Sequence, residues 1–418
     1  MLTKVRLPAV LRDEPRYRLL FGSQVLSILG DRVTMMALPF AVLLVGGGVG
    51  DVALVSAAQF LPFVVLALPA GVWADRLDRK RILVASDAVR LACQLTAATL
   101  LLAGEARVAH LAVLAAAYGA ADAFFAPAFS GLLPTTVSPA NIQPANALRG
   151  LSFSVGAIVG PVLAGTLISF AGGPGGALLF DAATFAVSIA LLVPLRPVEV
   201  AAVADEDPAA TTQHFWTSLR EGWGEVRGRR WVVTFLGAMA TYHAVVLPAV
   251  FVMGPVVMVH ELDGARSWAI VSALFGAGNV LGDLVFLRWR PRHAMRVASL
   301  LLVGASCQAA IFGSGLGAWR MGLLEMLAGA CVTGVFTLWE TSLGEHVPER
   351  SLSRVSSYDY LTSTGMIPLG NAVCGAVGGA VGIHPTLLGM TAVGVVVSLL
   401  VAAQPSIRSL PRGAAVAV

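Results

Sequence analysis

Apolar residues run through this chain in long blocks, and polar residues gather in the short joins between them. Twelve blocks stand out, at 19–45, 53–74, 82–103, 109–133, 145–171, 175–195, 231–259, 266–287, 295–314, 319–341, 357–381 and 384–403. Each predicts a helix long enough to cross a hydrocarbon layer of about 30 Å. Some joins carry turn chemistry: Gly172-Gly173-Pro174-Gly175-Gly176 interrupts one charge-free stretch and Gly382-Ile383-His384-Pro385 another. In lipid a continuous apolar run must satisfy its backbone within itself, which a helix does. The expected fold class is therefore an all-α polytopic membrane protein.

Composition excludes the soluble alternative. The 418 residues are 57% hydrophobic and 12% charged, against about 25% charged in a soluble domain. The net charge of +4 does not indicate a nucleic-acid partner, because the charge is laid out by topology. All but five of the 28 lysines and arginines fall on one membrane side. Arg107, Arg266 and Arg320 fall on the other, and Arg32 and Arg90 lie within spans. The basic side is cytoplasmic by the positive-inside rule. Twelve spans then place both termini in the cytoplasm, with the chain in the cell inner membrane. The basic leader, Lys4 to Arg18, precedes a first span too long and too charged for a cleaved signal. Cys93, Cys307, Cys331 and Cys374 lie in spans without paired spacing, and the seven histidines form no ligand pair. No metal and no cofactor are expected.

The chain reads as two halves, 1–196 and 231–418, joined by a cytoplasmic segment 197–230. That segment begins as a flexible linker rich in Ala, Pro, Thr and acids. It ends with Phe215, Leu219, Trp223 and Val226 at helical spacing beside Arg220, Arg227, Arg229 and Arg230. This is an amphipathic helix suited to the inner membrane surface, or an extension of the seventh span. The halves repeat each other. At an offset of 210, Gly119, Val137, Gly160 and Gly165 match Gly329, Val347, Gly370 and Gly375. At an offset of 211, Gly71, Arg79 and Arg81 match Gly282, Arg290 and Arg292.

The join Gly71-Val72-Trp73-Ala74-Asp75-Arg76-Leu77-Asp78-Arg79-Lys80-Arg81 carries four cations and two anions, too polar for lipid. It resembles the signature between the second and third helices of the major facilitator superfamily, with Asp78 where the family usually has Gly. The resemblance implies two six-helix bundles related by a pseudo-two-fold axis, with a substrate cavity at the repeat interface. It also implies that Gly71, Asp75, Arg76, Arg79 and Arg81 gate conformational change. The fifth span holds Gly156-x-x-x-Gly160-Pro161-x-x-x-Gly165. Small residues four apart permit close helix packing and the proline bends the helix. This resembles the antiporter signature of facilitator efflux pumps and adds Gly156, Gly160, Pro161 and Gly165 to the gating set.

Several polar side chains lie in spans, where they are costly and mark pathways or relays. Gln24, Ser27, Asp31 and Thr34 share one face of the first span within roughly 80°. Asp31 is the favoured proton-coupling carboxyl; the other reading is a buried salt bridge to Arg32 or Arg90. Asp122 is the second choice, framed by Tyr118, Phe125 and Phe129 on one face of the fourth span, either as a ligand site or as helix packing. Trp268, Ser272, Phe275 and Asn279 line up on the eighth span and are assigned to the substrate cavity with Gln24, Ser27, Tyr118, Phe125 and Phe129. Asp87 and Arg90 read as a structural pair near the inner face. Asp181, Glu325 and Glu340 read as weaker relay candidates nearer span ends.

The resemblance extends over nearly the whole chain. Pro127-Ala128-Phe129, Leu132-Leu133-Pro134, Ala145-Asn146-Ala147-Leu148, Arg354-Val355-Ser356-Ser357 and Pro368-Leu369-Gly370 look like the twelve-helix drug:proton antiporter branch that includes macrolide efflux proteins and the enterobactin exporter. The Arg-x-x-Gln-Gly signature of another branch is missing. The implied function is export of a small amphipathic compound, such as an antibiotic or siderophore, by proton antiport and alternating access. No Gly-x-x-x-x-Gly-Lys loop occurs, so the energy comes from an ion gradient. One proton crossing 100 mV supplies about 2.3 kcal/mol. The partners are the substrate, protons and the bilayer, and the protein is expected to be a monomer. An importer or lipid flippase on the same fold is the first rival. A membrane enzyme or sensor is the second, and no nucleophile–base pair supports it.

Overall fold

In a computed structural model, residues 8–196 and 223–411 are described. Among them twelve helices are long and apolar enough to cross a membrane, and no strand occurs. They are α1 (Pro15–Leu44), α2 (Val49–Arg76), α3 (Arg79–Leu102), α4 (Val108–Leu132), α5 (Ile142–Phe170) and α6 (Gly173–Leu192). Then follow α7 (Arg230–Glu261), α8 (Ala265–Arg288), α9 (Ala294–Phe312), α10 (Ala318–His346), α11 (Tyr358–Val381) and α12 (Ile383–Ala403). The order matches the apolar blocks, and the boundaries differ at the polar ends. Where the apolar blocks left residues 75–81 as a join, α2 runs helically to Arg76 and only Leu77 and Asp78 separate it from α3. Charged residues continue a helix beyond the apolar limit, because the backbone hydrogen bonds do not depend on side-chain polarity. For the same reason α10 reaches His346, five residues beyond the apolar block.

The chain divides into two compact units, Met1–Gly47 with Ala58–Ala201, and Gly48–Ala57 with Ala202–Val418. The start of α2 therefore clusters with the second unit rather than with the half the sequence assigned it to. In the first unit α1 packs on α5 and α6, and α3 packs on α4 and α6. In the second, α8 packs on α10, and α9 packs on α10 and α12.

The repeated glycines do equivalent work in the two units. A Cβ on Gly119 of α4 would run into the Gln59 carbonyl of α2, and one on Gly329 of α10 would run into the Phe275 carbonyl of α8. Gly160 of α5 lies against Arg32 of α1, and Gly370 of α11 against the Ala244 carbonyl of α7. Both pairs are close helix approaches that a side chain would block. The α7 backbone loosens where this happens: it has π-helical turns at Tyr242–Val246 and Ala249–Met253. Pro248 has no N–H to offer the Ala244 carbonyl four residues back.

The second unit is built around Trp339, which is fully buried, stacks on Phe235 at 4.8 Å and meets Trp231 edge-on at 5.7 Å. Val226 joins that core, and Trp223 lies 5.6 Å from Tyr358. This end of the linker thus docks on the second unit, and Phe215, Leu219 and Arg220 lie outside the described residues. The side chains of Gly71, Asp75 and Arg76, assigned to gating, also lie outside what is described.

Candidate functional site

The polar residues of the first unit's spans converge on Arg90. It is the twelfth of 24 residues in α3, at mid-depth rather than near the inner face where the sequence suggested it. Its side chain is wholly buried, and three carboxylates surround it. Asp87, one turn back on α3, lies at 2.5 Å, Asp122 of α4 at 3.2 Å and Asp31 of α1 at 3.5 Å. Ser188 of α6 donates to the second Asp87 oxygen at 2.5 Å, and the Tyr118 hydroxyl donates to Asp31. The guanidinium also lies 4.5 Å from the ring centres of Phe125 and Phe185. Four helices therefore meet at one cation.

The two leading acids read from the sequence, Asp31 and Asp122, are thus one cluster. Each keeps about a third of its side chain exposed, whereas Asp87 is wholly buried. Arg90, one of the two salt-bridge partners considered for Asp31, is the one used. Helical spacing within α3 carried a signal for it: Asp87, Arg90 and Gln94 share one face within about 60°.

A second group adjoins the first. Asp181 is the ninth of 20 residues in α6 and wholly buried, so its placement nearer a span end is corrected. Thr34 and Gln94 each donate to it at 2.6 Å, and its carboxylate occupies the space a Cβ on Gly30 would need. Beside Thr34 and Gln94 is a small cavity of about 10 Å³, lined also by Gln59, Tyr118 and the apolar Leu38, Ala97, Leu111, Leu114 and Ala115. That is enough for about one water among polar partners.

The remaining candidates fall into distinct settings. Gln24, Ser27 and Phe129 are buried inside the first unit, and the Gln24 Oε1 and Ser27 Oγ have no hydrogen-bond partner. In the second unit Trp268 is buried, overlies Gly254 and packs on Phe312 at 5.6 Å; its placement is that of a packing residue. Asn279 accepts from Thr333 at 3.2 Å and ties α8 to α10. Ser272 and Phe275 are half-buried. Glu325 is the eighth of 29 residues in α10 and buried, accepting from Gln308, which in turn accepts from Tyr242 at 2.6 Å. Glu340 is exposed.

At the α2–α3 join, Asp78 caps α3 by accepting from the amides of Lys80 and Arg81 at 2.9 and 3.2 Å. Its φ is −59°, so the position does not require the glycine usual in the resembled family. Arg79 donates to the Gly131 carbonyl at 2.8 Å and fills the space beside it that any side chain at 131 would need. Lys80 donates to the Val193 carbonyl at the end of α6. Arg81 is largely exposed, 3.5 Å from Asp78. In α5, Gly156, Gly160, Pro161 and Gly165 are all buried; Gly156 faces Ile28 and Gly160 faces Arg32.

Comparison with known proteins supplies the family. Two relatives named multidrug efflux pump Tap align over almost the whole chain. That of Mycolicibacterium fortuitum is 25% identical over 395 residues, 91% of this chain and 93% of the relative. That of Mycobacterium tuberculosis is 26% identical over 412 residues, 95% and 94% of the two chains. The crystal structure of nucleoside transporter NupG superposes with a TM-score of 0.69 at 14% identity, covering 94% of this chain and 99% of that one; at that identity the likeness is one of fold. The family and these relatives are transporters, not enzymes. Residues 20–370 match the family model of the Major Facilitator Superfamily, and the chain belongs to that family.

Proposed function

We propose that this transporter exports a small amphipathic compound, of the drug or antibiotic kind, in exchange for protons, by alternating access in the cell inner membrane with both termini in the cytoplasm. The names of the Tap relatives support the direction and the substrate class. The observation that carries the coupling is the Arg90 cluster. Three carboxylates share one guanidinium, and a fourth, Asp181, adjoins them across Tyr118, Gln94 and Thr34. With every group ionised the set carries a formal charge of −3. Such an excess at mid-depth calls for a mobile cation, and the proton is one that carboxyls bind directly. Asp31 and Asp122, the partly exposed members, exchange it; Asp87 holds Arg90 in place.

The test is proton release by purified protein on addition of compounds from a panel of cationic, zwitterionic and anionic amphiphiles. It is paired with export in proteoliposomes under an imposed pH difference. Asp31→Asn is expected to abolish uphill export while keeping downhill exchange, and Asp31→Glu to keep partial coupling. Undiminished proton-driven export by Asp31→Asn moves the coupling to Asp122. The same result from the double variant sinks the cluster as the coupling site. Uptake rather than export under the same gradient sinks the direction.

A further inference from the structure

Three arginines lie in the spans of the first unit, and among the described residues the carboxylates there form ion pairs with only one of them. Asp31, Asp87 and Asp122 are all on Arg90, and Asp181 is held by Thr34, Gln94 and Thr184. Arg32 is the eighteenth of 30 residues in α1. Among the described residues its guanidinium has no hydrogen bond and no ion pair, and the residue is partly exposed. Its aliphatic stem is pinned: it lies where a Cβ on Gly160 would stand, and Ile28, one turn earlier, lies against Gly156. The glycines of the α5 motif thus make room for a cation to stand at mid-depth.

Arg149 is the eighth of 29 residues in α5, inside the apolar block 145–171. It too has no ion pair among the described residues. Its Nε is buried without a partner, its Nη1 reaches Ser130 only at 3.4 Å, and its guanidinium lies 4.8 Å from the Phe129 ring centre and 5.8 Å from that of Phe153. Arg149, Gly156 and Gly160 share one face of α5 within about 40°, and eleven residues of helix separate Arg149 from Gly160 by about 16 Å. A cation at bilayer depth needs a counter-charge or water; Asp31 lies beside Arg32 in the chain but is ion-paired to Arg90, and neither Arg32 nor Arg149 has an ion pair of its own among the described residues.

We propose that the α1–α5 groove is an anion site, in which Arg32 takes the carboxylate of an amphipathic substrate and the exposed Phe153 beside Arg149 receives its aromatic part. This names a substrate class for the exporter reading and rests on it. The Arg32 guanidinium supplies the paired charge-assisted donors that carboxylates accept. Arg32, at mid-depth and partly exposed, is the charged contact; Arg149 stands nearer the start of α5.

The experiment is a fluorescence titration of the purified full-length protein in a neutral detergent. The probes are dansylglycine, an aromatic monocarboxylate, and dansylglycinamide, its neutral counterpart. The wild type is expected to bind the carboxylate at least ten-fold more tightly. Arg32→Gln should erase that preference, Arg32→Lys should keep part of it, and Arg149→Gln should change it less than Arg32→Gln does. Equal wild-type affinity for the two probes, no saturable binding of dansylglycine, or an unchanged preference in Arg32→Gln overturns the proposal. The wild-type ratio needs no variant, so a poorly folding Arg32→Gln does not shield it. Competition by added phosphatidylglycerol, but not phosphatidylcholine, assigns the guanidiniums to a lipid headgroup instead and likewise overturns it. An intact carboxylate preference in a protein that releases no protons to any compound sinks the export reading and leaves the anion site standing.

Discussion

At the scale of single residues, burial separates two roles within one cluster. Asp87 and Arg90 are both wholly buried and lie 2.5 Å apart. Removing one charge of such a pair leaves the other uncompensated, a cost of about 3–5 kcal/mol. Arg90 keeps Asp31 and Asp122 as partners, so Asp87→Asn is expected at the low end, about 3 kcal/mol. Asp31→Asn and Asp122→Asn, each about a third exposed, should cost about 1 kcal/mol, within the ordinary range for point substitutions. Thermal unfolding in detergent reads the difference; equal losses in all three variants would contradict the division of roles. Outside the spans, Glu14 is a clamp. Its Oε1 accepts from the Ser138 amide at 2.9 Å, the Ser138 hydroxyl at 2.6 Å and Asn141 at 2.9 Å. Those bonds, the Ser138 hydroxyl first, hold its carboxyl below the usual value of 4.5. A lowered folded-state value means the clamp contributes fully above the unfolded value and is lost as pH falls through the folded one. Hydrogen exchange at the Ser138 amide should therefore be slow at neutral pH and accelerate below about pH 4.5. Glu14→Gln should exchange faster at neutral pH and show no such acceleration.

At the scale of helices, glycine identity follows from what stands opposite. Gly329 lies against the Phe275 carbonyl, and a backbone atom cannot rotate away. Gly329→Ala should therefore destabilise by about 1–3 kcal/mol, as overpacking does. Gly237 of α7 has open space around its missing Cβ. Gly237→Ala should be neutral or stabilising by up to about 1 kcal/mol, from helix propensity alone. Opposite signs in the melting temperatures of the two variants are the expected result. Gly131 is a third case, since its neighbour is the Arg79 guanidinium rather than backbone. Gly131→Val is expected to fold, but to displace Arg79 from the Gly131 carbonyl and slow turnover. Wild-type turnover in that variant would remove Arg79 from the gating role assigned to it.

At the scale of the whole molecule, the layout of basic residues predicts which joins face the cytoplasm. Leu77, exposed in the α2–α3 join, and Glu105, exposed in the α3–α4 join, lie at opposite ends of α3. In a background lacking the four native cysteines, an impermeant thiol reagent applied to intact cells should label Glu105→Cys and spare Leu77→Cys. The reverse pattern would invert the topology. The division into units follows contacts rather than chain order: Gly375 of α11 lies against Ala53, at the start of α2. The second unit therefore includes residues from the first half of the sequence, and a cut at 196 does not separate the two units.

The twelve helices, their order and the internal repeat were legible in the chain because lipid leaves a long apolar run little choice but a helix. Repeated glycines, such as Gly119 with Gly329, also survive as a register. Helical spacing likewise grouped Tyr118 with Asp122, since residues on one face of one helix are set by 3.6 residues per turn. Which face meets which neighbour is not a local property, and there the sequence stopped. It could offer Arg32 and Arg90 as alternatives for Asp31, but only packing of α1, α3, α4 and α6 decided for Arg90 and drew in Asp122. The same packing moved Asp181 from the margin to the centre and left Arg32 and Arg149 without ion pairs among the described residues. Helix existence is decided by the solvent around each segment. A charge cluster is decided by three-dimensional distances between segments far apart in the chain, and those exist only once the helices are packed.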